Sequence, residues 1–119
     1  KFDDLINFIP ARVGSIFMLV GGMFLGYTFN DGCRIFKRDR LNHKSPNSAH
    51  PESVVAGLLG IQLGGTNQYF GETLEKPTIG DAKTPLEILD IRETITIMYG
   101  SEVVLMIFAT IMAVIIYSV

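Results

Sequence analysis

Two stretches of the chain consist of apolar and small residues without a single charge. They cover residues 13–29 and 103–119. Each is about 17 residues long, the lower limit for a helix that crosses the hydrocarbon core of a membrane. The pattern therefore predicts two membrane segments. Because the first is rich in glycine, a short re-entrant segment that enters and leaves the membrane on one side is the alternative to a full crossing.

Apolar spacing and start signals predict helices outside these segments. Residues 1–12 form an amphipathic entry helix that Pro10 ends or kinks. A second helix is expected over about 51–63, with Pro51 at its first helical position. Small residues recur along it every four positions and predict a face that packs closely against another backbone. These small residues are Ala56, Gly60 and Gly64.

The region between the second helix and the last membrane segment has two parts. Residues 66–84 contain turn residues and no sustained period, which predicts an irregular loop. A Thr84 cap followed by Pro85 then indicates a helix over about 85–99. Its apolar positions recur with helical spacing and predict one buried face, formed by Ile88, Ile91, Ile95 and Met98.

These elements predict an all-α fold, namely a fragment of a polytopic membrane protein with about two membrane helices and a cytoplasmic helix-loop-helix region over 30–102. Hydrophobic residues make up 48% of the chain and charged residues only 18%, which argues against an ordinary soluble domain. Basic residues between Arg34 and Lys44 follow the first membrane segment and favour a cytoplasmic location for 30–102 in a multi-pass protein of the cell membrane. The net charge of −2 argues against nucleic acid as a general partner.

Candidate chemistry is concentrated in two polar loops on either side of the 51–63 helix. The spacing of His43, His50 and Cys33 does not form a metal cluster, and no phosphate-binding or nucleophile motif is present. Solvated loops that cap helices would explain the polar residues equally well. The alternative is a binding site to which both loops contribute.

Four segments of this chain favour the binding site over the solvated loops. "DDLINFIPAR", "HKSPNSAHPE", "GIQLGGTNQYFGE" and "EKPTIGD" occur in the order and approximate spacing of the adenosylcobinamide-phosphate synthase family, which the chain resembles over nearly its whole length. The resemblance is to the C-terminal part of that family. The chain departs from the pattern at His50, where an aromatic residue is usual, and at Thr66, where proline is usual.

The resemblance implies cobalamin biosynthesis. The reaction would be an ATP-dependent amidation that attaches aminopropanol or its phosphate to a propionate carboxylate of adenosylcobyric acid. A carboxylate is a poor electrophile, so ATP must activate it. Activation requires cations against phosphate oxygens, together with Mg²⁺. The attacking amine must also lose a proton, which requires a base.

Roles for individual residues follow from these demands. Glu52 and Asp81 are the predicted catalytic carboxylates and the predicted Mg²⁺ ligands. Cations and neutral polar groups of the two loops would bind phosphates and the corrinoid substrate. The predicted substrate-binding residues are Arg40, His43, Lys44, Ser45, Asn47, Asn67, Tyr69 and Lys76.

Partners and topology complete these expectations. The expected partners are the two substrates, membrane lipid, and either a missing N-terminal membrane region or further copies of the chain. The competing hypothesis is a non-catalytic membrane subunit whose cytoplasmic loop docks another protein. If residues 13–29 cross the membrane fully, Asp3, Asp4 and Arg12 lie on the opposite side from the polar loops.

Overall fold

The computed structural model describes residues 2–43, 45–69 and 72–119, with the side chains of residue 3 and of residues 66–76 outside that description. The chain is mostly helical, and its described helices and strands follow in chain order. They are α1 (Phe2–Ile6), α2 (Phe8–Phe24), α3 (Phe29–Asp39), α4 (Ala49–Leu59), β1 (Leu63–Tyr69), β2 (Glu72–Ile79) and α5 (Leu89–Ser118).

Helices α2, α3 and α4 pack side by side. Gly22 of α2 lies against Leu58 near the end of α4, while Arg12 near the start of α2 contacts Asn47 just before α4. Helices α2 and α4 therefore run in the same direction. Helix α3, which connects them along the chain, runs in the opposite direction. The apolar core has two clusters. One lies among α2, α4 and α5 and comprises Met18, Leu19, Val54, Val55, Leu58 and Ile97. The other joins α3 and α4 to the open end of the hairpin and comprises Ile35, Ala49, Ala56, Ile61 and Ile79.

The entry helix differs from the expectation for residues 1–12. Asn7 separates α1 from α2, and Pro10 lies inside the first turn of α2 instead of ending a helix. The first four N–H groups of a helix have no intrahelical acceptor, so a proline in the first turn removes no hydrogen bond. Helix α2 ends at Phe24, and a turn at Gly26 leads into α3, which contains much of the basic run.

Helix α4 begins two residues before Pro51 and ends at Leu59, four residues earlier than expected. Gly60 adopts a left-handed conformation with φ 69°, which suits glycine and stops the helix. Of the predicted small-residue face, only Ala56 packs in the core as part of α4. Gly64 belongs to β1.

Residues 63–69 and 72–79 pair as the two antiparallel strands of a β hairpin, so the expectation of an irregular loop is wrong for the paired residues of that region. Strand β1 pairs with β2 from Leu63 opposite Ile79 to Tyr69 opposite Glu72, with an irregularity near Gly65. The sequence of the two strands lacks the alternation of apolar and polar residues that identifies a half-buried strand. The open end of the hairpin reaches the core through the buried Ile79.

Helix α5 is a single element of 30 residues that starts at Leu89, later than the Thr84 cap predicts, and continues through Gly100. The predicted buried face is wrong: Ile88, for example, is 88% exposed, and Ile91, Ile95 and Met98 are also exposed. The residue that enters the core is Ile97, on a different face. Among the described helices, α5 alone is long and apolar enough to cross a membrane.

Helices α2 and α5 approach each other closely because both have glycine at the contact. A Cβ atom on Gly21 would lie 2.8 Å from the backbone nitrogen of Ser101 and 2.9 Å from the carbonyl carbon of Gly100. Further along, the rings of Phe17 and Phe108 meet edge to face at 5.6 Å. The absence of a side chain at Gly21 therefore sets the spacing of the two helices.

A buried carboxylate attaches the hairpin to α3. Asp39, only 4% exposed, accepts hydrogen bonds from Arg38 Nη2 at 2.7 Å and from the backbone N–H of Gly80 at 2.8 Å. The Arg38 hydrogen bonds and the Gly80 N–H lower the pKa of Asp39 against the opposing effect of burial. The carboxylate thus stays charged and satisfies the backbone where β2 ends.

His50 is a fully buried polar side chain in the first turn of α4. Its ring meets that of Phe36 edge to face at 5.7 Å, and neither ring nitrogen has a hydrogen-bond partner among the described residues. Burial, followed by the charges of Arg12 and Arg40, lowers the pKa of His50. The site therefore disfavours the protonated ring and suits the aromatic residue that the family usually has there.

We expect Gly21→Ala to reduce the free energy of unfolding by about 1–3 kcal/mol, because the added methyl group overpacks the α2–α5 contact. Gly14→Ala is the matched control, since a Cβ at Gly14 has no atom within 4 Å. It should instead raise stability by up to about 1 kcal/mol through helix propensity. Denaturant unfolding in mild detergent measures both, and equal effects of the two variants would contradict the proposed contact.

Asp39→Asn should cost about 2 kcal/mol of stability, since hydrogen bonds to charged groups contribute about 1.5–3 kcal/mol. Because the folded pKa lies below the ordinary value of 3.8, the wild type keeps this contribution above that pH and loses it as the pH falls through the folded pKa. The variant should lack this part of the acid sensitivity. Unfolding curves between pH 3 and 7 would refute the assignment if the two proteins lost stability in parallel.

His50→Phe should stabilise the fold by about 1–3 kcal/mol, because it removes a buried side chain without hydrogen-bond partners. The folded pKa of His50 is below its ordinary value of 6.5, so the wild type should lose stability as the pH falls below about 6.5. That loss should disappear in the variant. A stability of His50→Phe below that of wild type at pH 7.5 would show that the ring nitrogens are satisfied after all.

Candidate functional site

The best-defined polar site joins the start of the chain to the loop before α4. Asn47 is only 7% exposed, and its side-chain oxygen accepts a hydrogen bond of 3.0 Å from Arg12 Nη1. Its Nδ2 donates to the backbone carbonyl of Asp4 at 2.8 Å. One buried amide therefore fixes the 43–48 loop against both α1 and α2.

Local hydrogen bonds shape the loop, and other contacts orient Arg12, its partner on α2. The backbone N–H of Ser45 donates to His43 Nδ1 at 2.9 Å, and the N–H of Asn47 donates to the hydroxyl of Ser45 at 3.3 Å. Arg12 lies over the ring of Phe8, 3.5 Å from its centroid, and donates to the Phe8 carbonyl at 2.9 Å. Arg12 and Ser45, which both form hydrogen bonds with Asn47, are thus fixed by further hydrogen bonds of their own.

A cavity of about 390 Å³ opens between these elements. Its lining combines one acidic residue, asparagines and serines with a comparable apolar surface. The lining residues are Asp4, Asn7, Pro10, Ala11, Ser45, Asn47 and Ser48. Two of the predicted substrate-binding residues, Ser45 and Asn47, thus line one cavity.

Positive charge lies at the same end of the helices. The charges of Arg12 and of Arg40 both act on the ring of His50, which follows the loop directly. Arg40 is half-buried just beyond the end of α3, and His43 is exposed. The predicted substrate-binding residues His43, Ser45 and Asn47 are therefore linked within one loop, and the charge of Arg40 acts on His50 at the start of the following helix.

The two predicted catalytic carboxylates occupy other places. Asp81 follows β2 and forms ion pairs with Arg38 at 2.9 Å and with Arg34 at 3.0 Å. The hydrogen bonds of Arg38 and then Arg34 lower the pKa of Asp81, which weakens it as a base. Both carboxylate oxygens have arginine partners.

Glu52 lines a separate, mostly apolar cavity of about 660 Å³ between α2, α4 and the start of α5. Glu87 and Asp90 also border this cavity, and Asp90 accepts a hydrogen bond from the backbone N–H of Glu87. The structure does not bring Glu52 and Asp81 into one cavity. Among the described residues, no group of three potential ligands is placed to hold a metal ion.

The other four predicted substrate-binding residues lie, wholly or by their side chains, outside the described part of the chain. Lys44 lies outside the described residues, as do the side chains of Asn67, Tyr69 and Lys76. The backbones of Asn67, Tyr69 and Lys76 belong to the hairpin, where Asn67 lies opposite Leu74. Their roles stay predictions.

Sequence reasoning did not select Asp4, Asn7 and Arg12 as site residues. The two aspartates near the start of α1 had an ordinary explanation as acidic residues at a helix N-terminus. The segment "DDLINFIPAR" was nevertheless one of the four that carried the family resemblance, and this was the available signal. The hydrogen bond from Arg12 to Asn47 also places the start of the expected first membrane segment next to the polar loop before α4.

Comparison with known proteins bears directly on these segments. The model of the family described as CobD/Cbib protein matches residues 1–98. A cobalamin biosynthesis protein CobD of Clostridium perfringens is 52% identical over 98 residues, which cover 82% of this chain and 31% of that protein. Cobalamin biosynthesis protein CbiB of Salmonella arizonae is 44% identical over 102 residues, covering 86% of this chain and 32% of that protein.

A third relative, CobD of Listeria monocytogenes serotype 4b, is 48% identical over 112 residues, or 93% of this chain and 36% of its own length. The chain thus spans about a third of the length of the curated relatives it matches, in their C-terminal part. No solved structure matches the chain significantly. The family model and these identities confirm the resemblance: the chain belongs to the CobD/CbiB family.

Proposed function

We propose that this chain is part of a membrane-bound enzyme of cobalamin biosynthesis that forms an amide bond. The enzyme would join aminopropanol or its phosphate to a propionate carboxylate of adenosylcobyric acid, at the expense of ATP. Cobalamin biosynthesis follows from the names of the relatives. The single observation that supports a site on this chain is the buried contact of Arg12 with Asn47, which joins two of the four family segments.

The polar cavity meets several demands of this reaction. Both reactants carry groups that accept and donate hydrogen bonds, and the cavity offers amides and hydroxyls held in fixed positions. Arg12 and Arg40, whose charges both act on His50 at the start of α4, are proposed to stabilise phosphate oxygens of ATP outside this cavity. Lys44 and Lys76 remain proposed phosphate contacts.

The proposed catalytic carboxylates differ in how well they suit their roles. Asp81 is paired with two arginines, so we assign it to holding the segment after β2 against α3. Glu52 remains the candidate base, and its cavity would accept an apolar part of a substrate. The described carboxylates do not build a magnesium site of their own, and Mg²⁺ bound chiefly by the phosphates of ATP needs only one or two protein carboxylates.

The membrane location is proposed on α5. Its C-terminal half, residues 103–118, contains no charge, and its apolar side chains are exposed apart from the half-buried Val104. Exposed apolar helices of this length are stable in lipid, where every backbone group is bonded within the helix. The side of the membrane on which residues 30–102 lie is expected to be the cytoplasm.

The test is product formation. This chain in detergent, and a chimera in which it replaces the matching C-terminal part of the Clostridium perfringens relative, are incubated with adenosylcobyric acid, aminopropanol and Mg-ATP. We expect an amide product of the corresponding mass from the chimera at least, because the remaining region is then present. Asn47→Ala should reduce its rate about tenfold or more, since misplacing a positioned substrate costs on the order of 100-fold.

Asn42→Ala is the matched control. Asn42 is an exposed amide whose Nδ2 donates to the carbonyl of Thr78, on the hairpin side of α3. Its loss should leave the rate close to wild type. Lack of product from both proteins, with corrinoid and ATP present and the proteins folded, would favour the non-catalytic subunit instead.

A further inference from the structure

We propose that the cavity between the N-terminal helices and the 43–48 loop binds a small protonated amine that also carries a hydroxyl group, with Asp4 as its counter-ion. The inference rests on the proposed function and assigns the amine reactant to a place on this chain. It starts from the cavity itself, whose volume of about 390 Å³ lies within the usual range for small-molecule sites.

The charge of the lining selects the class of ligand. Asp4 is the one ionisable residue among the described residues that line the cavity, and the other lining residues are asparagines, serines, a proline and an alanine. Among the described residues Asp4 forms no ion pair. A carboxylate in such a place attracts a cation and repels a carboxylate or a phosphate.

The neutral groups add the need for a hydroxyl. Asn47 uses its oxygen for Arg12 and one N–H for the Asp4 carbonyl, which leaves its second N–H free to donate. Asn7, Ser45 and Ser48 can each donate or accept at the cavity wall. A short molecule with an ammonium at one end and a hydroxyl close by matches both the carboxylate and these groups.

The other carboxylates of the proposed site are less suitable. Asp81 already has two arginine partners. Glu52 lines a mostly apolar cavity that offers few partners to the hydroxyl of an amino alcohol. Arg12 does not compete for Asp4 in the structure, since its Nη1 donates to the Phe8 carbonyl and to Asn47.

The experiment is calorimetric titration of the detergent-solubilised protein with 1-aminopropan-2-ol, and with propane-1,2-diol as the probe that lacks the amine. We expect saturable binding of the amine at pH 7.5, and at least tenfold weaker binding of the diol. Asp4→Asn should weaken amine binding at least tenfold. Glu102→Gln removes an exposed carboxylate that lines neither cavity and should leave amine binding unchanged.

A second variant covers the case in which Asp4→Asn fails to fold. Ala11→Leu keeps the carboxylate and fills the cavity from α2, so it should also abolish amine binding while circular dichroism and the unfolding midpoint stay near wild type. Amine affinity that is unchanged in a folded Asp4→Asn or Ala11→Leu protein overturns the proposal, as does a wild type that binds the diol equally well or binds no amine. Product formation in the chimera is scored separately, so an active chimera whose Asp4→Asn form keeps its amine affinity refutes the subsite and leaves the amidation standing.

Discussion

The hydrogen bonds of one buried amide connect parts of the chain that are far apart in sequence. Asn47 binds Arg12 across 35 positions and the carbonyl of Asp4 across 43. Because a buried amide without partners is costly, the loop and the two N-terminal helices are stable only together. The polar cavity exists because of this contact, and its carboxylate, amides and hydroxyls come from three different segments.

Close helix packing places those segments within reach of one another. Helix α2 runs beside α4 in the same direction, with Gly22 against Leu58, and its Gly21 meets the backbone of α5. On the far side of α4, the buried Asp39 attaches the hairpin to α3. The polar cavity lies before the start of α4 and the apolar cavity lies along α4, and the catalytic carboxylates predicted from sequence are divided between the apolar cavity and the segment after β2.

Sequence reasoning found the family and the loop that carries Asn47, because the segments that define them are contiguous. It did not find the hairpin, because the sequence of its strands lacks a period-2 pattern. It also mistook Ile88 and its neighbours for a buried face, since spacing shows that a helix has an apolar face but not whether another element covers it. The role of Asp4 depends on a contact 43 positions away, which helix-start signals do not report.

The most direct measurement of the central contact is a cross-linking assay in a Cys33→Ser background. Asn7→Cys and Ser48→Cys, which line the same cavity, should be joined rapidly by a short bismaleimide in native membranes. Leu25→Cys with Ser48→Cys is the control, because α2 separates Leu25 from the cavity by about 25 Å at 1.5 Å per residue. Cross-linking of the first pair alone is the predicted result, and cross-linking of the control pair alone would contradict the joint site of the N-terminal helices and the 43–48 loop.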